Sequence, residues 1–190
     1  MHVEQTGIPG LVVLTPARFG DDRGFFSETW NRARLAEHGF DVDFVQDNHS
    51  FSARPGTVRG LHFQAPPHAQ AKLVRCGRGA LFDVAVDLRR GSPAYGCWFG
   101  VELSFDNGRQ LMIPAGFAHG FATRVPETEI IYKCSDYYAP ETEGALRYDD
   151  PDIGIDWSLG DIDPVLSEKD AAAGSFANFK SPFIYEESGT

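Results

Sequence analysis

Turn signals recur roughly every 10–15 residues through the middle of the chain, and no other feature limits the fold more. They fall at Pro55-Gly56, Gly77-Arg78-Gly79, Gly91-Ser92-Pro93, Asp106-Asn107-Gly108 and Pro114-Ala115-Gly116. Glycine and proline punctuate a chain where tight turns need special backbone angles, and the spacing leaves room for strands between them. Residues 71–76 alternate, residues 80–87 form a strongly apolar strand, and residues 97–103 form another. Two shorter strands precede them, at 10–14 and at Phe25-Phe26. From Phe44 to about Tyr138 the chain therefore reads as antiparallel strands closed into a sandwich or barrel. Helices belong to the two ends. Asn31 is placed to cap a short helix to His38, with Gly39 just past its end. Ser167-Glu168-Lys169-Asp170 resembles a capping box that opens a helix over Ala171-Ala172-Ala173. The expectation is a mainly β jelly roll forming one domain over residues 1–190. Its core covers about 8–150, with a short N-terminal helix and a C-terminal helical extension over 151–190.

Composition narrows the function classes. Hydrophobic residues are 42% and charged residues 23% of the 190, which suits a globular domain and excludes a disordered one. A chain of this length buries enough surface to need no disulfide or metal for its core. Cys76, Cys97 and Cys134 are odd in number and widely spaced, so they read as reduced thiols. The balance of 17 Lys+Arg against 27 Asp+Glu excludes the basic footprint of a nucleic-acid or anionic-membrane protein. It still allows a small anion held by a few arginines. The N-terminus has no signal-peptide pattern, and no apolar run approaches the roughly 20 residues of a bilayer span. The cytoplasm is the expected compartment.

Two motifs carry more information. The first is Gly56-x5-His62-x-Gln64-x5-Gln70-x6-Gly77, and the second is Gly108-x5-Pro114-x-Gly116-x2-His119-x3-Thr123. Their spacing resembles the two cupin motifs, in which three histidines and a glutamate point into a small barrel. Residues two apart on a strand share a face, so His62 and Gln64 point the same way. Glutamine is a poor ligand, and His62 with His119 falls short of the three or four donors a transition metal needs. The expectation is a barrel with an ionisable pocket and no metal site.

The wider context is Thr57-Val-Arg-Gly-Leu-His-Phe-Gln64, then Lys72-Leu-Val. Upstream stand Phe19-Gly-Asp-Asp-Arg-Gly-Phe25 with Glu28, and Gln46-Asp-Asn-His-Ser50; downstream come Ile113-Pro-Ala-Gly-Phe-Ala-His-Gly-Phe121, Tyr132-Lys133, Asp136-Tyr-Tyr-Ala-Pro140 and Glu143. Taken in order, this set resembles the dTDP-4-dehydrorhamnose 3,5-epimerase family over about residues 8–175. The resemblance implies epimerisation of dTDP-4-dehydro-6-deoxy-D-glucose at C3 and C5 with no cofactor. It implies His62 as the base with Asp170 behind it, Lys72 facing the enolate oxygen at C4, and Tyr132 as the acid on the opposite face. It further implies that His119 donates to the same oxygen or holds the sugar, and that Tyr138 stacks on the thymine. Arg23 and Arg59 would grip the diphosphate, while Glu28, Gln46, Asn48, Glu143 and Lys169 make further substrate contacts. Finally it implies a homodimer with exchanged N-terminal segments, so that Arg23 and Glu28 serve the partner's site.

The chemistry can be argued beside the resemblance. Inverting a carbon next to a ketone removes a weakly acidic C–H proton and returns one to the other face. That requires a base, a stabiliser for the enolate oxygen and an acid across the ring. Imidazole titrates near neutral pH and a phenol is protonated there, so His62 and Tyr132 suit the two roles. Four alternatives are weighed: a relative that epimerises one carbon only or acts on a modified dTDP-sugar, a related sugar ketoisomerase, a metal-dependent cupin dioxygenase, and a silent sugar-binding cupin. Asp170 could also serve only as a helix cap.

Overall fold

The computed structural model describes residues 1–186. Its elements in chain order are β1 (His2–Gln5), β2 (Val12–Thr15), β3 (Phe19–Asp21), β4 (Gly24–Phe26), α1 (Arg32–Ala36), β5 (Gln46–Ser52), β6 (Val58–Gln64) and β7 (Lys72–Arg78). There follow β8 (Ala80–Asp87), β9 (Trp98–Ser104), β10 (Gln110–Ile113), β11 (Phe117–Thr123), β12 (Thr128–Cys134), β13 (Glu143–Ala145) and α2 (Glu168–Ala171). A six-stranded sheet has the order β1-β2-β10-β7-β12-β5, and a five-stranded sheet has the order β13-β6-β11-β8-β9. All their pairings are antiparallel, giving the expected jelly roll; β3 and β4 form a separate hairpin.

Strand alternation explains the layering. On β8, Leu81 and Ala85 point between the sheets with Val13, Val74, Leu103 and Ile130. Val84 and Val86 point outward beneath Ile153, Trp157 and Phe183 of the C-terminal segment. Both faces of β8 are covered, which is why its sequence is apolar almost throughout. The outer face of the other sheet is covered by α1 and the segments on either side of it, through Leu35, Trp30 and Phe40 against Leu14, Leu73 and Met112.

The N-terminal helix follows its expected signals. The Asn31 side chain accepts from the Arg34 N–H, and the Gly39 and Phe40 N–H groups bond back to Ala36 and Leu35. Several boundaries differ from the sequence reading: α1 ends at Ala36 and not at His38, and β2 and β7 are shifted by one or two residues. Gly77 lies inside β7, and the turn into β8 is made at Gly79, whose φ is +76°. The second helix runs over Glu168–Ala171 and not over Ala171–Ala173, because Ser167 is its N-cap. The rest of 151–186 is largely irregular, interrupted by Gly154, Gly160, Pro164 and Gly174. Among the described residues no helix is long and apolar enough to cross a membrane.

A single close backbone contact sets how near β6 and β11 approach. Gly60 has φ +120°, and a Cβ there would lie 2.6 Å from Gly120 Cα and 2.7 Å from the His119 carbonyl oxygen. Only glycine lets the two strands come this close. Beside that contact His62 and His119 stand opposite each other in register.

Candidate active site

Toward one end of the barrel the inward positions change from apolar to polar. On β12 the inward residues run Ile130, Tyr132, Cys134, and on the paired β7 they run Cys76, Val74, Lys72. Two adjoining cavities of about 230 and 340 Å³ open there, and both are lined by His62, Lys72 and Tyr132. The first also meets Arg59, His119, Lys169 and Asp170, and the second meets Gln46, Asn48, Tyr138 and Glu143. Eleven of the thirteen residues expected from the sequence are thus gathered around one site.

Arg23 and Glu28 line neither cavity. Arg23 sits on the β3–β4 hairpin, highly exposed and paired with Asp21 at 2.5 Å. Glu28 pairs with Arg34 at 3.2 Å and accepts from Asn31.

His62 comes from the five-stranded sheet and Tyr132 from the six-stranded sheet, so they stand on opposite walls. His62 Nε2 lies 2.5 Å from Asp170 Oδ1, which directs the other ring nitrogen to the cavity. Asp170 is buried, and its second oxygen accepts from the Ser167 hydroxyl at 2.9 Å. Helix capping falls to Ser167, whose Oγ accepts from the Asp170 N–H, so the Asp170 carboxylate is free to face the imidazole. Burial lowers the His62 pKa although Asp170 pulls it upward, leaving the ring neutral near neutral pH. Burial raises the Tyr132 pKa, so its hydroxyl keeps its proton. Burial also lowers the Lys72 pKa, opposed by the nearby Cys134, Asp83 and Glu143.

Several partners lay outside the sequence reading. Asp83 is wholly buried, and its Oδ1 lies 2.8 Å from His119 Nε2. Its Oδ2 has no hydrogen-bond partner among the described residues. Burial raises the Asp83 pKa, and His119 with Lys72 pulls it down. The signal was an acid at an inward position of an apolar strand, between Leu81 and Ala85. Ser50, Phe121 and Ser167, each inside a stretch quoted above but not read as a site residue, also line the first cavity. Glu143, paired with Gln64 across β13 and β6, binds the Lys169 ammonium at 2.6 Å and accepts from the Tyr138 hydroxyl at 2.9 Å. Burial opposes its charge, but these two donors hold its pKa below the usual carboxylate value.

The metal-ligand positions of the cupin frame are otherwise engaged. His62 and His119 each face a carboxylate, while the side-chain amides of Gln64 and Gln70 bond to backbone of the 136–139 segment. Such an arrangement can bind a polar ring, take a proton on one wall and return one from the other, beside a buried cation.

Comparison with known proteins points the same way. Residues 5–178 match the family model described as dTDP-4-dehydrorhamnose 3,5-epimerase. The chain is similar to the dTDP-4-dehydrorhamnose 3,5-epimerase of Sinorhizobium fredii, 50% identical over 185 residues that cover 97% of this chain and 94% of that one. It is 52% identical over 174 residues to the Salmonella typhimurium enzyme of the same name, covering 91% of this chain and 94% of the relative. A crystal structure of dTDP-6-deoxy-D-glucose-3,5-epimerase from Legionella pneumophila, in complex with dTDP-4-keto-L-rhamnose, matches with a TM-score of 0.92 at 45% identity, covering 97% of this chain and 98% of that one.

Proposed function

This chain belongs to the dTDP-4-dehydrorhamnose 3,5-epimerase family, and on that premise we propose how its residues divide the reaction. It is an isomerase that converts dTDP-4-dehydro-6-deoxy-D-glucose to dTDP-4-dehydro-L-rhamnose by inverting C3 and C5. The observation that carries the division of labour is the His62–Asp170 couple on one wall facing Tyr132 on the other, with Lys72 on the rim of both cavities.

His62 removes the proton from the carbon beside the C4 ketone, and Asp170 holds the ring's orientation and stabilises the imidazolium. The electron pair moves into the carbonyl, and the charge gathers on the C4 oxygen. Lys72 faces that oxygen with His119 as a second donor, supplying fixed positive charge where negative charge develops. Tyr132 then gives a proton to the opposite face of the carbon. C3 and C5 both flank C4, so one stabilised enolate oxygen serves both inversions. The sequence of proton transfers asks for no electron carrier.

The dTDP portion lies toward Tyr138, whose ring stacks on the thymine, with Gln46, Asn48, Glu143 and Lys169 as polar contacts and Arg59 at the diphosphate. The enzyme works as a cytoplasmic homodimer with exchanged N-terminal segments and binds no nucleic acid or membrane. Phe19 and Phe26 of the β3–β4 hairpin are 64% and 70% exposed, an apolar surface that a second copy would cover. Arg23 on the same hairpin would then reach the partner's diphosphate.

Proton NMR in heavy water tests the reading. Incubation with dTDP-4-dehydro-6-deoxy-D-glucose is expected to place deuterium at both C3 and C5. Deuterium at one carbon alone would make the protein a mono-epimerase, and none at either would exclude this substrate.

A further inference from the structure

The segment 136–139 contributes Tyr138 to the lining of the second cavity, yet it belongs to no strand or helix. Buried backbone polar groups need partners, and the backbone of the neighbouring 140–142 turn supplies only one to this stretch, the Thr142 N–H to the Ala139 carbonyl at 3.0 Å. Glutamine side chains supply others. Gln70 Nε2 donates to the Asp136 carbonyl at 2.8 Å. Gln64 Nε2 donates to the Tyr137 carbonyl at 3.1 Å and to the His68 carbonyl at 2.7 Å, while its Oε1 accepts from the Ala139 N–H at 3.0 Å. Gln46 Oε1 accepts from the Tyr138 N–H at 2.9 Å. Gln64 is 5% exposed, and both of its donor hydrogens and its oxygen are engaged. The Tyr138 ring itself is free of this cradle: it is 57% exposed and reaches across to Glu143.

We infer that Gln64, with Gln70, is a positioning residue for nucleotide recognition, holding the 136–139 backbone so that the Tyr138 ring is set in advance as a platform for the base. The inference rests on the proposed stacking of Tyr138 on thymine and adds the means by which that ring is placed. An amide is suited to the task because it offers two donors and an acceptor in one plane, with no charge to desolvate. A glutamate would turn its oxygens on the carbonyls of His68 and Tyr137, and a histidine could not span all three groups. The positions that would ligate a metal in other barrels of this frame are thereby turned to building the substrate site. Setting the ring before binding removes the ordering cost that a loose loop would exact from affinity.

The test is titration calorimetry with dTDP, on wild type, Gln64→Leu, Gln70→Leu, Tyr138→Ala and the Gln64→Leu/Tyr138→Ala double variant. Tyr138→Ala is expected to weaken dTDP about tenfold, the order of one base–aromatic stack. Gln64→Leu should weaken it by a similar factor and Gln70→Leu by about threefold, since it loses one bond. The double variant should bind within about twofold of Tyr138→Ala alone, because both changes act through the same ring. In turnover, Gln64→Leu should raise KM by more than it lowers kcat. If Gln64→Leu does not fold, Gln70→Leu carries the test by itself. Glutamine variants that bind dTDP like wild type while Tyr138→Ala binds weakly would overturn the inference and leave the stacking intact. Additive losses in the double variant would also overturn it. Unchanged binding by Tyr138→Ala would overturn the stacking and the inference together.

Discussion

Replacing His62 with alanine is expected to lower kcat about 1,000- to 10,000-fold and to stop deuterium entering at both C3 and C5. The side chain stands at the junction of the two cavities with a buried carboxylate behind it, and of the two site imidazoles only His62 lines both. His62 is only partly buried, so its loss leaves the fold in place and the effect reads on chemistry. The pH profile carries the same signature. A base works only when unprotonated, and burial sets the His62 pKa below its ordinary 6.5, so kcat/KM should climb with pH and level off before that value. Asp170 pulls the His62 pKa upward. Asp170→Asn should therefore move the acid limb to lower pH while kcat falls, because the ring loses its orienting partner. Exchange persisting at either carbon in His62→Ala, at a rate near wild type, would assign the base elsewhere.

Replacing Lys72 with methionine is expected to reduce kcat about 100- to 1,000-fold, with exchange at C3 and C5 falling together. Methionine keeps most of the side-chain volume and removes only the charge proposed to face the enolate oxygen. Because that oxygen is shared by both inversions, the loss cannot fall on one carbon. A variant with normal kcat and only a raised KM would make Lys72 a binding residue, and the proposed electrostatic role would fall.

The ladder of strands was legible because each face alternation is local. The run from Ala80 to Asp87 shows its two covered faces in eight consecutive residues, and Asn31 and Gly39 mark their helix within one turn of each end. The gathering of His62, Lys72, Tyr132 and Asp170 at one site was legible for a different reason: they sit in stretches whose order resembles a known family. What stayed hidden are couplings across long separations. Nothing near Asp83 announces His119, 36 residues on, and nothing near Gln64 announces Tyr137, 73 residues on. Gln64 and Gln70 read only as missing metal ligands, because a sequence shows which donor is absent and not what its replacement holds. Gly77 was misplaced into a turn because the Gly-x-Gly pattern offers two candidates, and only strand pairing chooses Gly79.

Asp170 belongs to neither sheet; it arrives on a segment that wraps the outside of the five-stranded one. A chain emerging from the ribosome therefore completes every barrel strand, including the one that carries His62, before the carboxylate that pairs with His62 exists. A nascent or prematurely terminated product that ends before Ser167 would hold the imidazole in place with nothing behind it. On the proposed role of Asp170, full activity is expected only once the wrapping segment has been made and seated, which ties it to the completion of synthesis.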